Sequence, residues 1–367
     1  MVADALVARI GREGPITFDR FMAEALYGAG GFFASGQGPR RDFVTSPTLG
    51  SLFGACTARA LDDWWREMGE PDPFLVVEAG AGDGRLAREV LRAAPDCIGA
   101  LRYVLVEVSP GLRAAQRELL PLEPPDEALG PFAAAVGEDP PAATRGAGPF
   151  VTAVGELPPI GARDAVLIAN ELLDNLPFGI AESDGERWSE VRVGWTDGRF
   201  VEVVVPLTGG AAAEIREAPG AAGTRVPIPR GLRAWFAEAD RTLRRGVVAL
   251  FDYMTDAPEL RLRTYRDHRP AGSPLEAPGS CDITADVVVD HLRSAGAAFR
   301  FERLCPQAEW LRGLGIEALA DEGARQWREG AAVGDLAALT GRSRVHEAEA
   351  LTDPSGLGAH RVAILRR

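Results

Sequence analysis

The chain contains no lysine: its 40 Lys+Arg residues are all arginine. Chemistry that runs through a lysine amine is therefore excluded, both Schiff-base catalysis and the phosphate-holding lysine of a P-loop. Cysteine is scarce as well. Cys56, Cys97, Cys281 and Cys305 lie far apart and form no C-x-x-C pair, so neither a redox pair nor a zinc site has the spacing it needs, and reduced thiols are expected. His268, His291, His346 and His360 are equally scattered, and no metal site is expected. No apolar run approaches the length that spans a bilayer. Residues 1–12 alternate charges with small apolar residues and lack the apolar centre of a secretory signal, so a cytoplasmic location is expected.

What is present describes an ordinary globular protein. The 367 residues are 46% hydrophobic and 25% charged, enough to bury a full core with room for an appended subdomain. The formal net charge of -13 argues against a nucleic-acid partner, which calls for a basic face, and suits a cationic one. Gly 42 and Pro 27, with abundant Ala and Arg, mark a compositional bias that accounts for the missing lysine.

Two amphipathic helices are expected over residues 2–12 and 18–27, the second with Thr17 as N-cap. Residues 28–41 read as a Gly- and aromatic-rich loop. Thr45-Ser46-Pro47 is expected to open one long helix to about Met68, burying Leu52, Phe53, Leu61, Trp64 and Trp65. From Phe74 the pattern changes. Apolar runs at Phe74-Leu75-Val76-Val77, Tyr103-Val104-Leu105-Val106, 150–154 and 165–169 alternate with helical stretches at 85–94 and 110–120, which predicts a parallel sheet covered on both faces. A Pro- and Ala-rich excursion fills 121–149. Residues 188–195 and 200–205 alternate in the strand period around Asp197-Gly198, a hairpin signature. The α/β pattern returns with a helix over 230–244 and a strand over 247–252. A polar loop is expected over 253–281 and a helix over 284–295. A strand over 299–304, helices between 309 and 351 and a closing strand over 361–365 complete the reading.

The turn Glu78-Ala79-Gly80-Ala81-Gly82-Asp83-Gly84 follows the first of these strands. Glycines there let backbone approach a ligand and aim helix N–H groups at it. In a doubly wound sheet such a turn borders the ligand crevice. Glu107 closes the next strand, where a carboxylate can accept both hydroxyls of a ribose. A dinucleotide fingerprint requires a third glycine at the position of Arg85, and the glycine falls at Gly84 instead. An acid two residues before alternating glycines looks like the first motif of a methyltransferase. The alternative is a tight turn serving packing alone, and Glu107 in register at the end of the second strand favours the ligand reading over it. After the fourth strand comes Asn170-Glu171-Leu172-Leu173-Asp174-Asn175-Leu176-Pro177. Methyl transfer is an in-line displacement helped by alignment, and an amine or guanidinium nucleophile must lose a proton to a nearby carboxylate. Glu171 and Asp174, three apart, share one side of a helical turn. The alternative for this segment is a cap at Asn170 with two acids complementing the dipole.

These segments together resemble the MidA family of methyltransferase-like proteins, whose mitochondrial members assist respiratory complex I assembly by dimethylating an arginine. The likeness runs through Ile16-Thr17-Phe18, Phe21-Met22 and Ala25-Leu26-Tyr27, then Asp42-Phe43-Val44-Thr45-Ser46-Pro47 with Leu52-Phe53-Gly54. It continues in the glycine turn, in Val106-Glu107 with Ser109-Pro110 and Leu112, and in the 169–177 segment, its most specific part. Downstream it includes Asp252-Tyr253, Tyr265, His268, Pro278-Gly279, Asp282-Ile283-Thr284 and Gln307. Arg41, Met254 and the residues before Tyr265 depart from the family pattern, all in segments expected on the substrate side.

The resemblance implies a doubly wound, mostly parallel class I methyltransferase (Rossmann-like) sheet. It implies an N-terminal helical cap over 1–70, a core over 71–177 and 230–367, and an inserted antiparallel β-hairpin region over 178–229. The implied cofactor is S-adenosyl-L-methionine, held by Glu78, Gly80, Ala81, Gly82, Gly84, Glu107, Val108, Ser109 and Asn170. Asn170, Glu171 and Asp174 are the expected catalytic residues; Asp42, Phe43, Thr45, Tyr265, His268 and Asp282 are the expected substrate pocket. The expected acceptor is an arginine guanidinium of a protein. A small-molecule methyltransferase, a non-catalytic assembly factor and a nicotinamide oxidoreductase are the rival readings.

Overall fold

The structure is a computed structural model and describes residues 1–34, 45–130, 147–207, 215, 218–267, 269–331 and 335–367. Its centre is a seven-stranded sheet. We number its strands β1 (Phe74–Ala79), β2 (Leu101–Val106), β3 (Phe150–Val154), β4 (Ala162–Asn170), β5 (Leu243–Asp252), β6 (Arg300–Pro306) and β7 (Arg361–Arg366). Their spatial order is β6-β7-β5-β4-β1-β2-β3. The pairs from β5 to β3 are parallel, and β7 runs antiparallel between β5 and β6.

Parallel strands covered by helices on both faces are apolar at every position rather than at alternate ones. That is what β1 and β2 display, each buried along its whole length. The side chains of β1 separate by parity. Phe74 and Val76 join Phe53, Leu61, Phe251 and Trp310 on one face. Leu75, Val77 and Ala79 join Leu167, Trp235, Phe236 and Leu292 on the other. The chain moves outward from β1 through β2 to β3, then returns to place β4 on β1's other edge. This reversal opens a crevice at the carboxyl ends of β1 and β4. The glycine turn and Asn170 lie there because each directly follows or ends one of those strands.

A second, all-antiparallel sheet combines Ile16–Thr17, Gly179–Ser183, Trp188–Thr196, Arg199–Pro206 and Arg225–Ile228. Thr196 pairs with Arg199, leaving a two-residue loop in which Asp197 and Gly198 have φ of 50° and 75°, the conformation a tight hairpin requires. The helices Val2–Glu13 and Phe18–Tyr27 pack their apolar stripes on this sheet, with Leu6, Phe18, Phe21 and Met22 against Phe178, Ile180, Val191 and Val193.

Several local expectations are corrected. The long helix expected from Thr45 is two helices, Ser46–Leu49 and Leu52–Glu67. The break comes at Gly50, where a Cβ would lie 2.0 Å from the Glu347 carboxyl carbon, and Glu347 Oε2 accepts the Leu52 N–H at 3.1 Å. A buried carboxylate from the C-terminal helix Leu336–Thr352 thus serves the opening turn of the second helix. Thr17 occupies the N-cap position but makes no side-chain cap hydrogen bond. The helix expected from Thr284 begins at Val289, because Asp282–Thr284 pairs with Arg263–Arg266 and Val287–Val288 with Met254–Thr255. The β-branched pair Val287-Val288 favours that extended entry. Met254, one of the family departures, is half-buried in this short pairing. The expected 253–281 loop therefore contains strands, and Pro125–Leu129 adds a short helix within the 121–149 excursion. No helix among the described residues is long and apolar enough to cross a membrane.

Candidate active site

The crevice is a cavity of about 1170 Å³ among the described residues. Its floor is the turn after β1. Gly80, Gly82 and Gly84 have φ of 69°, 55° and 85°, left-handed values that glycine reaches without penalty. At Gly82 a Cβ would meet nothing within 4 Å, so the space beside this backbone opens into the cavity. Gly84 begins the helix Arg85–Arg92.

The turn is tied to the end of β2 through Glu107. Glu107 Oε2 accepts the Gly82 N–H at 3.0 Å, and Oε1 accepts the Ser109 N–H at 2.8 Å. Each oxygen retains a lone pair for a ligand hydroxyl. Burial raises the Glu107 pKa and the two N–H donors oppose that rise. Glu78, buried at the end of β1, accepts the Tyr103 hydroxyl at 2.8 Å, and burial lifts its pKa to about 8. Ser109 caps the helix Pro110–Leu119, and its hydroxyl donates to the Phe33 carbonyl at 2.9 Å. The N-terminal segment is thereby fastened beside the cavity, where Tyr27 and Phe33 stack with ring centroids 5.4 Å apart.

Opposite the turn, β4 ends at Asn170 and the chain reverses through Glu171, whose φ is 49°. Backbone in this region is costly for a side-chain-bearing residue and marks a functional candidate. Glu171 keeps some surface open to the cavity. Its Oε1 accepts the Ser46 N–H and the Asn170 amide, both at 3.4 Å. Burial, then the nearby Asp174 charge, pushes its pKa to about 8. Asp174 lies in the 3₁₀ turn Leu173–Asn175. Its Oδ2 accepts the Thr284 hydroxyl at 2.6 Å, and its Oδ1 is buried with no partner. Asn170 Oδ1 is likewise buried without a partner. Burial raises the Asp174 pKa; the Thr284 hydrogen bond and the Arg263 charge oppose it. Beneath them Asp252, fully buried at the end of β5, accepts the N–H of Leu173 and of Tyr253, each at 2.8 Å. Burial and the Asp174 charge hold it well above the usual carboxylate range.

The cavity is strongly acidic. Among the described residues, Glu78, Asp83, Glu107, Glu156, Glu171, Asp174, Glu238 and Asp282 line it against Arg85 and Arg263, and those arginines already pair with Asp83 at 3.0 Å and Asp286 at 2.7 Å. Such a lining favours cations.

A parallel sheet of this order, closed by the antiparallel strands β6 and β7 and carrying a glycine turn and an acid at its reversal, defines the α/β methyltransferase fold. The chain belongs to the S-adenosyl-L-methionine-dependent methyltransferase family whose model matches residues 56–306. It is 28% identical over 310 residues to the mitochondrial protein arginine methyltransferase NDUFAF7 homolog of Drosophila melanogaster, covering 78% of this chain and 68% of that one. It is 27% identical over 334 residues to mitochondrial protein arginine methyltransferase NDUFAF7 of Homo sapiens, covering 85% and 73%. A Burkholderia thailandensis protein, crystallised with S-adenosyl-homocysteine bound, superposes with a TM-score of 0.79 at 27% identity, covering 100% of this chain and 92% of that one. The relatives' mitochondrial names lend no support to the cytoplasmic expectation.

The cofactor is S-adenosylmethionine, and the residues present suit it. An open glycine cradle, a carboxylate with spare lone pairs at the end of β2 and Asn170, whose side-chain oxygen is buried without a partner, line one cavity. Of the expected site residues, Glu78, Gly80, Ala81, Gly82, Glu107, Val108, Asn170, Glu171, Asp174, Thr45, Tyr265 and Asp282 line that cavity. Gly84 and Ser109 stand just behind it through the helix start and the Glu107 contact. Asp42, Phe43 and His268, with the departure at Arg41, lie outside the described residues. Asn170 ends a strand rather than capping the following turn, whose N-cap is Leu172. Sequence reasoning missed Tyr27, Phe33, Ser46, Arg263 and the segment Gly155-Glu156-Leu157 after β3, and it gave no site role to Tyr253, Thr284 or Asp252. Residues 155–157 directly follow a core strand and Asp252 ends one, which was the available signal for them; Ser46 and Thr284 stood in segments that carry the family likeness, and Arg263 had no signal.

Proposed function

We propose that this chain methylates an arginine guanidinium of a protein partner. The observation that carries the reading is the convergence of Glu171 and Asp174 on one cavity with the glycine turn, with no arginine ion-paired to either among the described residues. A planar cation with five donors is the natural occupant of two adjacent carboxylates. The names of the relatives at 27–28% identity support the same acceptor.

Bound S-adenosylmethionine supplies an electrophilic methyl group. Glu78 with Gly80, Ala81, Gly82 and Gly84 holds its amino-acid end; Glu107, Val108 and Ser109 hold the ribose; Asn170 offers Oδ1 as a further acceptor. Asp174 Oδ1 holds the guanidinium. Glu171 takes the proton that the guanidinium nitrogen must lose, and its raised pKa suits an acceptor working near neutrality. Thr45, Tyr265 and Asp282 belong to the acceptor side, and the N-terminal helices with the hairpin region cover the cleft as a cap.

The test is incubation of the purified chain and methyl-labelled S-adenosylmethionine with protein extract from cells lacking it, followed by acid hydrolysis. Label in methylated arginine is the expected result. Label confined to small molecules, or to another amino acid, overturns the acceptor.

A further inference from the structure

Asp174 is gripped at both ends by one short segment. Its backbone carbonyl accepts the Ala285 N–H at 3.2 Å, and its Oδ2 accepts the Thr284 hydroxyl at 2.6 Å. Thr284 is 4% exposed and sits on the strand Asp282–Thr284, in register with Arg263 of the neighbouring strand. The segment is itself braced, because Asn175 donates to Asp282 Oδ1 at 2.8 Å and to the Ile283 carbonyl at 3.1 Å. The hydroxyl thus takes up one Asp174 oxygen and leaves the other, Oδ1, buried and without a partner beside the cavity. Glu171, by contrast, is held by two donors at 3.4 Å, so its carboxylate is freer to move with a proton.

Resting on the acceptor reading above, we propose that Thr284 is a positioning residue that fixes Asp174 through its hydroxyl, aiming Oδ1 at the incoming guanidinium and leaving proton transfer to Glu171. A carboxylate with one oxygen pinned can rotate about its Cβ–Cγ bond only by breaking a short, charge-assisted hydrogen bond. Free rotation would let Oδ1 turn away and spread the guanidinium over several poses, which is costly where alignment supplies the rate. The hydroxyl also favours the ionised form of Asp174. The other groups acting on that ionisation are Glu171 and Asp252, which repel a second negative charge, and Arg263, which attracts one. Tyr27 and Tyr253 feel the Asp174 charge as neutral phenols whose own ionisation it disfavours.

The test compares the full chain with Thr284→Val, which keeps the shape without the hydroxyl, and Thr284→Ser, which restores a donor. The readout is the initial rate of label transfer into arginine of the same extract, in the range where rate is proportional to extract, across pH. Calorimetric S-adenosyl-homocysteine affinity marks each variant as folded, with Thr284→Ala replacing the valine variant if that one fails to bind. The valine variant is expected to lose about ten- to a hundredfold in rate, with the rising limb of its pH profile moved to higher pH. The serine variant is expected to return towards wild type in both. A loss with an unmoved limb, no loss, or no recovery in the serine variant overturns the proposal. If the wild-type chain labels another acceptor, the arginine reading falls separately, and the same comparison on that acceptor decides the role of Thr284.

Discussion

The Gly82 backbone N–H donates to Glu107 Oε2 at 3.0 Å, joining the turn after the first core strand to the carboxylate that ends the second. One hydrogen bond thereby sets the distance between two parts of the cofactor site. Replacing the carboxylate by an amide inserts NH₂ where N–H donors of Gly82 and Ser109 already point. Glu107→Gln is expected to weaken S-adenosyl-homocysteine binding by about ten- to a hundredfold, the range of a charge-assisted hydrogen bond. Calorimetric titration measures it, and an unchanged dissociation constant removes Glu107 from the cofactor site.

Gly82 offers a separation of fold from function. Its φ of 55° costs a side-chain-bearing residue about 1–2 kcal/mol, yet a Cβ there meets no protein atom within 4 Å. Gly82→Ala is expected to fold with only that modest loss of stability and to lose most cofactor affinity. Gly246→Ala is the contrast, since its Cβ would sit 2.0 Å from the Ala165 carbonyl oxygen across the β4–β5 pair. That variant is expected to be far less stable. Equal stabilities in denaturant unfolding would contradict both assignments.

Glu171→Gln and Asp174→Asn probe the acceptor end alone. Both changes keep the size of the side chain and leave the glycine turn and Glu107 untouched. Transfer is expected to fall by about a hundred- to ten-thousandfold in Glu171→Gln, the usual worth of a positioned acid–base group, and by about ten- to a hundredfold in Asp174→Asn, the worth of a hydrogen bond to a charged group, while S-adenosyl-homocysteine affinity stays near wild type in both. Turnover within a few-fold of wild type in either variant removes that residue from catalysis.

How far such site features could be read beforehand depends on whether the chain or the fold brings them together. Phe74-Leu75-Val76-Val77 and Tyr103-Val104-Leu105-Val106 announce parallel strands because burial on both faces demands continuous apolar sequence. Glu78, the glycines, Glu107 and Asn170 were legible because each directly follows or closes such a strand. Gly179–Ser183, Arg225–Ile228 and Arg263–Arg266 were not: they are short, carry polar residues or Pro227, and have no period to detect. Glu347, whose carboxylate occupies the gap at Gly50, lies 295 residues from the Leu52 N–H it accepts. Thr284 meets Asp174 across 110 residues. Contacts of that kind belong to tertiary packing and leave no local mark.

The rate should depend on pH in a direction fixed by burial. Glu171 titrates at about 8 because it is desolvated and next to Asp174, and it must be ionised to accept a proton. A guanidinium stays protonated throughout the accessible range, so the limb belongs to the carboxylates. The rate at low acceptor concentration is expected to rise as pH climbs through about 8 and to level off above it. A rate that is flat or falling across that interval argues against Glu171 as the acceptor.

The same burial makes the site a source of pH-dependent instability. Glu78 and Glu171 each titrate at about 8 in the folded chain, against about 4.3 in an unfolded one. The folded state therefore binds these protons more tightly. The stability they contribute is fully present below the unfolded value and is lost as pH rises through about 8. Other carboxylates, such as Glu302 beside Arg366, are shifted downward and act on the acid side, so the comparison must be between variants at each pH. Glu171→Gln removes one of the two raised groups, replacing a carboxyl that must ionise with an amide that cannot. Its melting temperature is expected to match wild type near about pH 4, to exceed it increasingly as pH rises towards about 8, and to keep a constant excess above that. Parallel melting curves for the two proteins across the whole range would mean that Glu171 is already ionised when the chain is folded and empty. The carboxylate would then meet its guanidinium without first having to release a proton.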